Sequence, residues 1–210
     1  MENIQAPEEV TKKKGGLNAA TFVTLVRIAL MPLIIFFYLS SFDGGKLIAL
    51  ILFVFAAATD FLDGWIARRF NQVTDMGKLL DPIADKLLTF LGFLLIFSDV
   101  TLLGTLYPIW VAISVFFIAT ARDYVINAVR KLAALKNKVL AATWHGKVKS
   151  AVQYVAISLA MFYAYYLNFM EVGDAFEVGL RISVWVGLGL ATLLTVFSGA
   201  SFILQYRRKG

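Results

Sequence analysis

Four aspartates in a chain that is 60% hydrophobic and only 16% charged raise the first chemical question. Asp60 and Asp63 stand three apart, and Asp81 and Asp85 stand four apart. On helices each spacing puts both carboxylates on one face. A fifth, Asp75, falls in the polar stretch between the pairs and reads as a solvated turn residue. The upstream flank, LIALILFVFAAAT at 47–59, has the composition of a membrane interior. An aspartate at the centre of a spanning helix costs about 2.5–3.5 kcal/mol on insertion scales, and less near the interface. Four brought together also repel one another, with protonation as one escape. Two divalent cations are the other: they would offset four negative charges, and all-carboxylate coordination suits Mg²⁺ or Mn²⁺ over a soft metal. The chain has no cysteine, so thiolate metal sites, thiol nucleophiles and disulfides are excluded.

The elements that must position these acids are membrane helices. Roughly 20 apolar residues cross the hydrocarbon core, and six such spans can be drawn in the 210 residues. They run from about Ala20 to Leu39, Leu47 to Arg69, Gly77 to just before Asp99, Leu106 to Val129, Val148 to Leu167 and Ile182 to Leu204. The expected fold class is therefore all-α, a polytopic membrane protein with six transmembrane helices. The start, MENIQAPEEVTKKKGG, is polar for longer than a signal peptide allows, so the first apolar helix is expected to be retained. We divide the chain into a polar N-terminal tail (1–17), a membrane domain (18–205) and a basic C-terminal tail (206–210).

Charge sets the orientation. With six spans both termini share a side, and that side collects Lys12, Lys13, Lys14, Arg68, Arg69, Lys78, Lys86, Arg122, Arg130, Lys131, Lys136, Lys138, Lys147, Lys149, Arg207, Arg208 and Lys209. The other side holds little basic beyond Lys46 and Arg181, alongside Asp43, Asp99, Glu171, Asp174 and Glu177. Basic loops stay inside, so both termini are expected in the cytoplasm. The net charge of +6 reads as this bias plus attraction to anionic lipid headgroups, not as nucleic-acid binding.

The second and third spans are joined by a short polar turn, so they are expected to be neighbours with their acids converging at one depth. Small residues accompany the acids. Asp60, Gly64 and Ala67 form one stripe, and Gly77, Asp81 and Asp85 recur every four residues. Small residues on a membrane helix by themselves signal tight packing; alternating with acids, they read as the floor of a ligand site. Proline is tolerated best in a first helical turn, so Pro82 predicts a third helix that starts near Leu80.

The spacing Asp60, Asp63, Gly64, Ala67, Arg68, Gly77, Asp81, Asp85 resembles the signature of the CDP-alcohol phosphotransferases with no departure. More of the chain, from about residue 18 to 205, is similar to the bacterial phosphatidylglycerophosphate synthase branch. AATFVTLVR at 19–27 keeps the branch's Thr24 and Arg27 but has Ala20, Thr21 and Val23 where Pro, Asn and Leu are usual. LLDPIADK at 79–86 is close to the usual form. Asp123 after Arg122 stands for the usual Glu, followed by Arg130, and WHGKVKSAVQ at 144–153 has Ser150 for the usual Thr.

The resemblance implies six helices, an active site open to the cytoplasm, and a homodimer; the basic bias and the lack of a targeting segment favour a bacterial inner membrane. It also implies two divalent ions held by Asp60, Asp63, Asp81 and Asp85, with Asp85 as general base. The expected reaction displaces CMP from CDP-diacylglycerol by the free primary hydroxyl of glycerol 3-phosphate. Gly64, Ala67 and Gly77 would then make room for the cytidine, and Arg68 would meet the pyrophosphate end. The acceptor phosphate needs cations, and Arg122, Arg130, Lys147 and Lys149 are expected to supply them; Arg geometry suits phosphate. Arg27, inside an apolar run, is expected to support the site with Thr24 and Asp123, since a buried arginine in a span marks function by default. His145 reads as an interfacial spacer. Two alternatives stay open: a sibling enzyme acting on serine, inositol phosphate or phosphatidylglycerol, and a cation transporter, for which paired interrupted helices would be expected.

Overall fold

The computed structural model describes residues 19–70, 75–102, 106, 108–135, 144–169 and 174–208. Among them the chain forms six helices: α1 (Ala19–Leu39), α2 (Gly45–Phe70), α3 (Asp75–Ser98), α4 (Ile109–Leu135), α5 (Trp144–Phe169) and α6 (Asp174–Arg208). The shortest has 21 residues, about 30 Å at 1.5 Å per residue and close to the thickness of a hydrocarbon core. Three stretches are long and apolar enough to cross a membrane: Thr21–Leu39, Val148–Asn168 and Ala175–Phe202. Large apolar side chains are exposed around the bundle, among them Phe36, Phe55, Phe117, Leu193 and Phe197. Exposed apolar surface on that scale calls for lipid rather than water as its neighbour.

The helices pack as a bundle in which α2 and α3 share neighbours. α1 lies most extensively on α2, and α5 on α6; α1 also touches α3, and α5 touches both α2 and α3. α2 and α3 also touch each other directly among the described residues. The contact of α5 with α2 and α3 is centred on Gly92 of α3. A methyl group built there would sit 2.8 Å from both Phe53 of α2 and Ile157 of α5. Glycine is what lets three helices meet at that depth. Phe53, Leu88, Ile96, Ile157 and Met161 around it are wholly buried.

Two helix starts correct the sequence expectations. α3 begins at Asp75 rather than near Leu80, so Pro82 lies inside the helix and removes one of its backbone bonds. α1 carries an internal proline too, Pro32; packed helices around such positions make the loss tolerable. α6 begins at Asp174, well before Ile182. Its first turns carry Asp174, Glu177 and Arg181 among apolar residues and are tied to α5: the Tyr163 hydroxyl donates to Glu177 Oε1 at 3.3 Å, and the Tyr166 and Phe176 rings lie 5.5 Å apart.

At the end of the bundle where α1 passes to α2 and α3 ends, a buried acid ties three segments together. Gly44, at φ +89°, turns the chain into α2 and brings Lys46 inward. Asp99 is 8% exposed. Its Oδ2 accepts from Lys46 Nζ at 2.7 Å and from the Tyr38 hydroxyl at 2.8 Å, while Oδ1 accepts from the Thr101 amide at 2.9 Å and the Thr101 hydroxyl at 2.6 Å. The Lys46 ammonium also lies 5.5 Å from the Tyr38 ring centre. Burial pushes the Asp99 pKa upward, but the hydrogen bonds from Lys46, Thr101 and Tyr38 and the Lys46 charge outweigh it and hold the carboxyl below its ordinary value.

Candidate functional site

At the opposite end of the bundle lie the described polar side chains of α3, α4 and α5, Asp85, Arg122, Asp123 and Lys149. The backbone places Asp60 and Asp63 on α2, and Asp81 and Asp85 on α3, so both acid pairs are helical and each shares a face. The side chains of Asp60, Asp63, Gly64, Ala67, Arg68, Gly77 and Asp81 lie outside the described residues, as do those of Arg130, His145 and Lys147. Among the described residues no three metal-ligating side chains cluster.

Asp85 itself is defined. It is partly buried, and its Oδ1 accepts a hydrogen bond from the Tyr154 hydroxyl of α5 at 2.8 Å. Its backbone carbonyl accepts from Thr89 Oγ1 at 3.1 Å. Tyr154 is 3% exposed and is wedged edge-on against Phe53, ring centres 6.1 Å apart. The carboxylate therefore has a fixed partner from a different helix.

A second polar cluster joins α4, α5 and α6. Asp123 on α4 accepts at its Oδ1 from two cations, Arg122 Nη1 at 2.8 Å and Lys149 Nζ of α5. Arg122 Nη2 donates to Ser198 Oγ of α6. The Arg122 Nε is buried and has no hydrogen-bond partner. Gly199 makes room for the Arg122 stem: a methyl there would stand 3.4 Å from its Cγ. Lys149 is 2% exposed, and besides Asp123 it feels the charges of Arg122 and Asp85. One helical turn along, Gln153 Nε2 reaches Thr195 Oγ1 of α6 at 3.5 Å. A cavity of about 20 Å³, room for one water, lies between α3 and α4 against Lys86, Thr89, Thr120 and Asp123.

On α1, Thr24 and Arg27 are wholly buried and three residues apart, so they share the face turned into the bundle. Arg27 is the bulkiest fully buried side chain among the described residues. A guanidinium so placed in an apolar helix is costly unless it is used.

Of the candidate residues read from the sequence, Asp85 and Arg122 have described partners that the sequence did not single out, Tyr154 and Ser198. A signal for Ser198 existed. The run SGAS at 198–201 is a small, polar interruption of an apolar helix, the kind of patch that receives a partner from a neighbouring helix. For Tyr154 there was none, since one tyrosine among eight in an apolar chain stands out by neither type nor spacing.

Residues 17–202 match the family described as CDP-alcohol phosphatidyltransferase, most of the chain and both acid pairs included. The chain belongs to that family. It is similar to a Bacillus subtilis protein named CDP-diacylglycerol–glycerol-3-phosphate 3-phosphatidyltransferase, 32% identical over 194 residues that cover 87% of this chain and 91% of the relative. Proteins of the same name from Yersinia enterocolitica and Pectobacterium atrosepticum are each 34% identical, over 65% and 67% of this chain and 72% and 74% of their own. The chain is accordingly a phosphatidyltransferase of phospholipid synthesis, and the cation-transporter alternative falls.

Proposed function

We propose that this enzyme transfers the phosphatidyl group of CDP-diacylglycerol to glycerol 3-phosphate, giving phosphatidylglycerophosphate and CMP. The observation that carries the reading is the pairing of a helix-held carboxylate, Asp85 on Tyr154, with a cation cluster, Arg122 and Lys149 on Asp123, at one end of one bundle. The names of the relatives supply the two substrates. We place that end at the cytoplasmic face of a bacterial inner membrane, with all six helices spanning, both termini inside, residues 18–205 as the catalytic domain between tails 1–17 and 206–210, and a homodimer as the assembly.

The donor set fits divalent cations. Four carboxylates offer only hard oxygen ligands, the chain has no cysteine and a single histidine, and the one described member, Asp85, is oriented by a neutral donor, the Tyr154 hydroxyl. Asp60, Asp63, Asp81 and Asp85 would hold two Mg²⁺ or Mn²⁺ ions. The chemistry such ions would supply there is polarisation of the pyrophosphate and stabilisation of the departing CMP.

The chain's own residues do the rest. Asp85 takes the proton of the acceptor's primary hydroxyl. The oxygen attacks the β-phosphorus, and the bond from that phosphorus to the CMP oxygen breaks, CMP leaving with the electron pair. Arg68, with Gly64, Ala67 and Gly77 leaving space, receives the nucleotide end of the donor. Arg122, Arg130, Lys147 and Lys149 gather the acceptor phosphate, Asp123 holding two of them in register. Thr24 and Arg27 brace the bundle behind the acids. The deciding experiment supplies purified protein with labelled CDP-diacylglycerol, Mg²⁺ or Mn²⁺, and a panel of glycerol 3-phosphate, serine, inositol phosphate and phosphatidylglycerol. CMP release and a product of phosphatidylglycerophosphate mass with the first acceptor alone is expected; preference for another acceptor overturns the assignment.

A further inference from the structure

We infer that Tyr154 is a positioning residue for Asp85: its buried phenol fixes which carboxylate oxygen faces the reaction. This rests on the reading of Asp85 as metal ligand and base, and adds a residue to it.

The geometry leaves the phenol little choice. Tyr154 is 3% exposed, its ring is held edge-on by Phe53, and the neighbouring Ala156 and Ile157 are wholly buried. Its hydroxyl sits 2.8 Å from Asp85 Oδ1 and 3.5 Å from the Asp85 backbone carbonyl, between two acceptors of the same residue. Thr89 bonds that carbonyl from one turn further along α3. An aspartate side chain has two rotatable bonds, and a short bond from an immobile donor constrains both. With Oδ1 committed to Tyr154, the work assigned to Asp85 falls to Oδ2.

Position on the fold gives the contact a second consequence. Tyr154 lies on α5 a little more than one turn beyond Lys149, whose ammonium is bonded to Asp123 beside Arg122. One helix thus holds the carboxylate assigned to the acceptor's proton and a cation assigned to the acceptor's phosphate. The distance between those two tasks is set by the rigid α5 backbone rather than by loops, which is how a site keeps a reacting hydroxyl aligned.

The test is Tyr154→Phe, which keeps the ring and its packing and removes only the hydroxyl. Tyr163→Phe serves as control, since it deletes another buried phenol hydroxyl of α5, one bonded to Glu177 away from the acids. A hydrogen bond to a charged group in a buried setting predicts a fall in kcat of about 10–100-fold for Tyr154→Phe. KM for both substrates should stay within about twofold. Mn²⁺ titrated without substrate and followed by electron paramagnetic resonance should bind several-fold more weakly. Tyr163→Phe should lower the melting temperature without either change. In the Asp85→Asn background, adding Tyr154→Phe should leave Mn²⁺ binding where Asp85→Asn alone puts it. Wild-type kcat and Mn²⁺ binding in Tyr154→Phe overturn the positioning role, as does an equal kcat loss in Tyr163→Phe. If Asp85→Asn itself keeps full turnover and Mn²⁺ affinity, the reading of Asp85 fails instead, so the two failures are distinct.

Discussion

The knot around Asp99 gives a prediction in which stability and activity part company. Replacing Asp99 by Asn preserves size and leaves an oxygen to accept from Thr101. The new amide group, however, faces the Tyr38 hydroxyl and the Lys46 ammonium, now 2.8 and 2.7 Å from the position of Oδ2, so donor meets donor. Removing one partner of a buried, hydrogen-bonded ion pair costs about 3–5 kcal/mol. The Lys46 side chain keeps 15% exposure and can find water, which reduces the figure to about 2–4 kcal/mol. For a chain of this size that corresponds to a melting point lower by on the order of 5–15 °C, measured by thermal unfolding in detergent. The pH dependence has a definite sign. The Asp99 pKa is lowered in the fold, so its contribution is complete above the unfolded carboxyl value of about 4 and disappears as pH falls through the lower folded value. The gap between wild type and Asp99→Asn should therefore be constant from about pH 8 to 5 and close only below about pH 4. Turnover of the folded variant at ordinary temperature should be unchanged, because the knot lies at the other end of the helices from Asp85. Equal melting points at pH 7, or a gap that opens as pH falls, would refute the reasoning.

Other outcomes follow from single contacts. Asp85→Asn should abolish turnover while binding of CDP-lipid is partly kept; full activity of the purified variant removes Asp85 from its role. Glycerol 3-phosphate titrations of Arg122→Ala, Arg130→Ala and Lys147→Ala should raise the apparent KM by about tenfold or more, as loss of a charged hydrogen bond implies; unchanged KM in all three defeats the acceptor assignment. Ser198→Ala removes the hydroxyl that receives Arg122 Nη2 and should raise the same KM several-fold, leaving that of CDP-diacylglycerol alone. Gly92→Val drives methyl groups into Phe53 and Ile157, where even one carbon stands at 2.8 Å, and overpacking predicts a loss of about 1–3 kcal/mol, visible as a lower melting point.

Much of the architecture could be read from residue order because apolar runs and charged ends each have a direct physical cause. The start of α6 could not. Residues 174–181 mix Asp174, Glu177 and Arg181 with apolar residues, and only the fold shows them as helix in contact with Tyr163 and Tyr166 of α5. Pro82 misled for a related reason: local chemistry asks for a helix start, and packing overrides it. The acids stand out in the sequence because carboxylates beside membrane spans are rare enough to demand an explanation. Lys149 read as a cytoplasmic-end cation, and only the fold reveals that Asp123 draws it inside. Tyr154 and Ser198 depend on which helices lie side by side, information no local pattern carries.

The double use of Asp123 has a consequence for selectivity. One anionic oxygen serves both a guanidinium and an ammonium, so the trio of Asp123, Arg122 and Lys149 carries one positive charge in excess. A guest bearing its own anion would offset that excess. An uncharged alcohol of the same shape leaves the imbalance as it was. Discrimination among acceptors would then begin with electroneutrality, before shape is consulted at all.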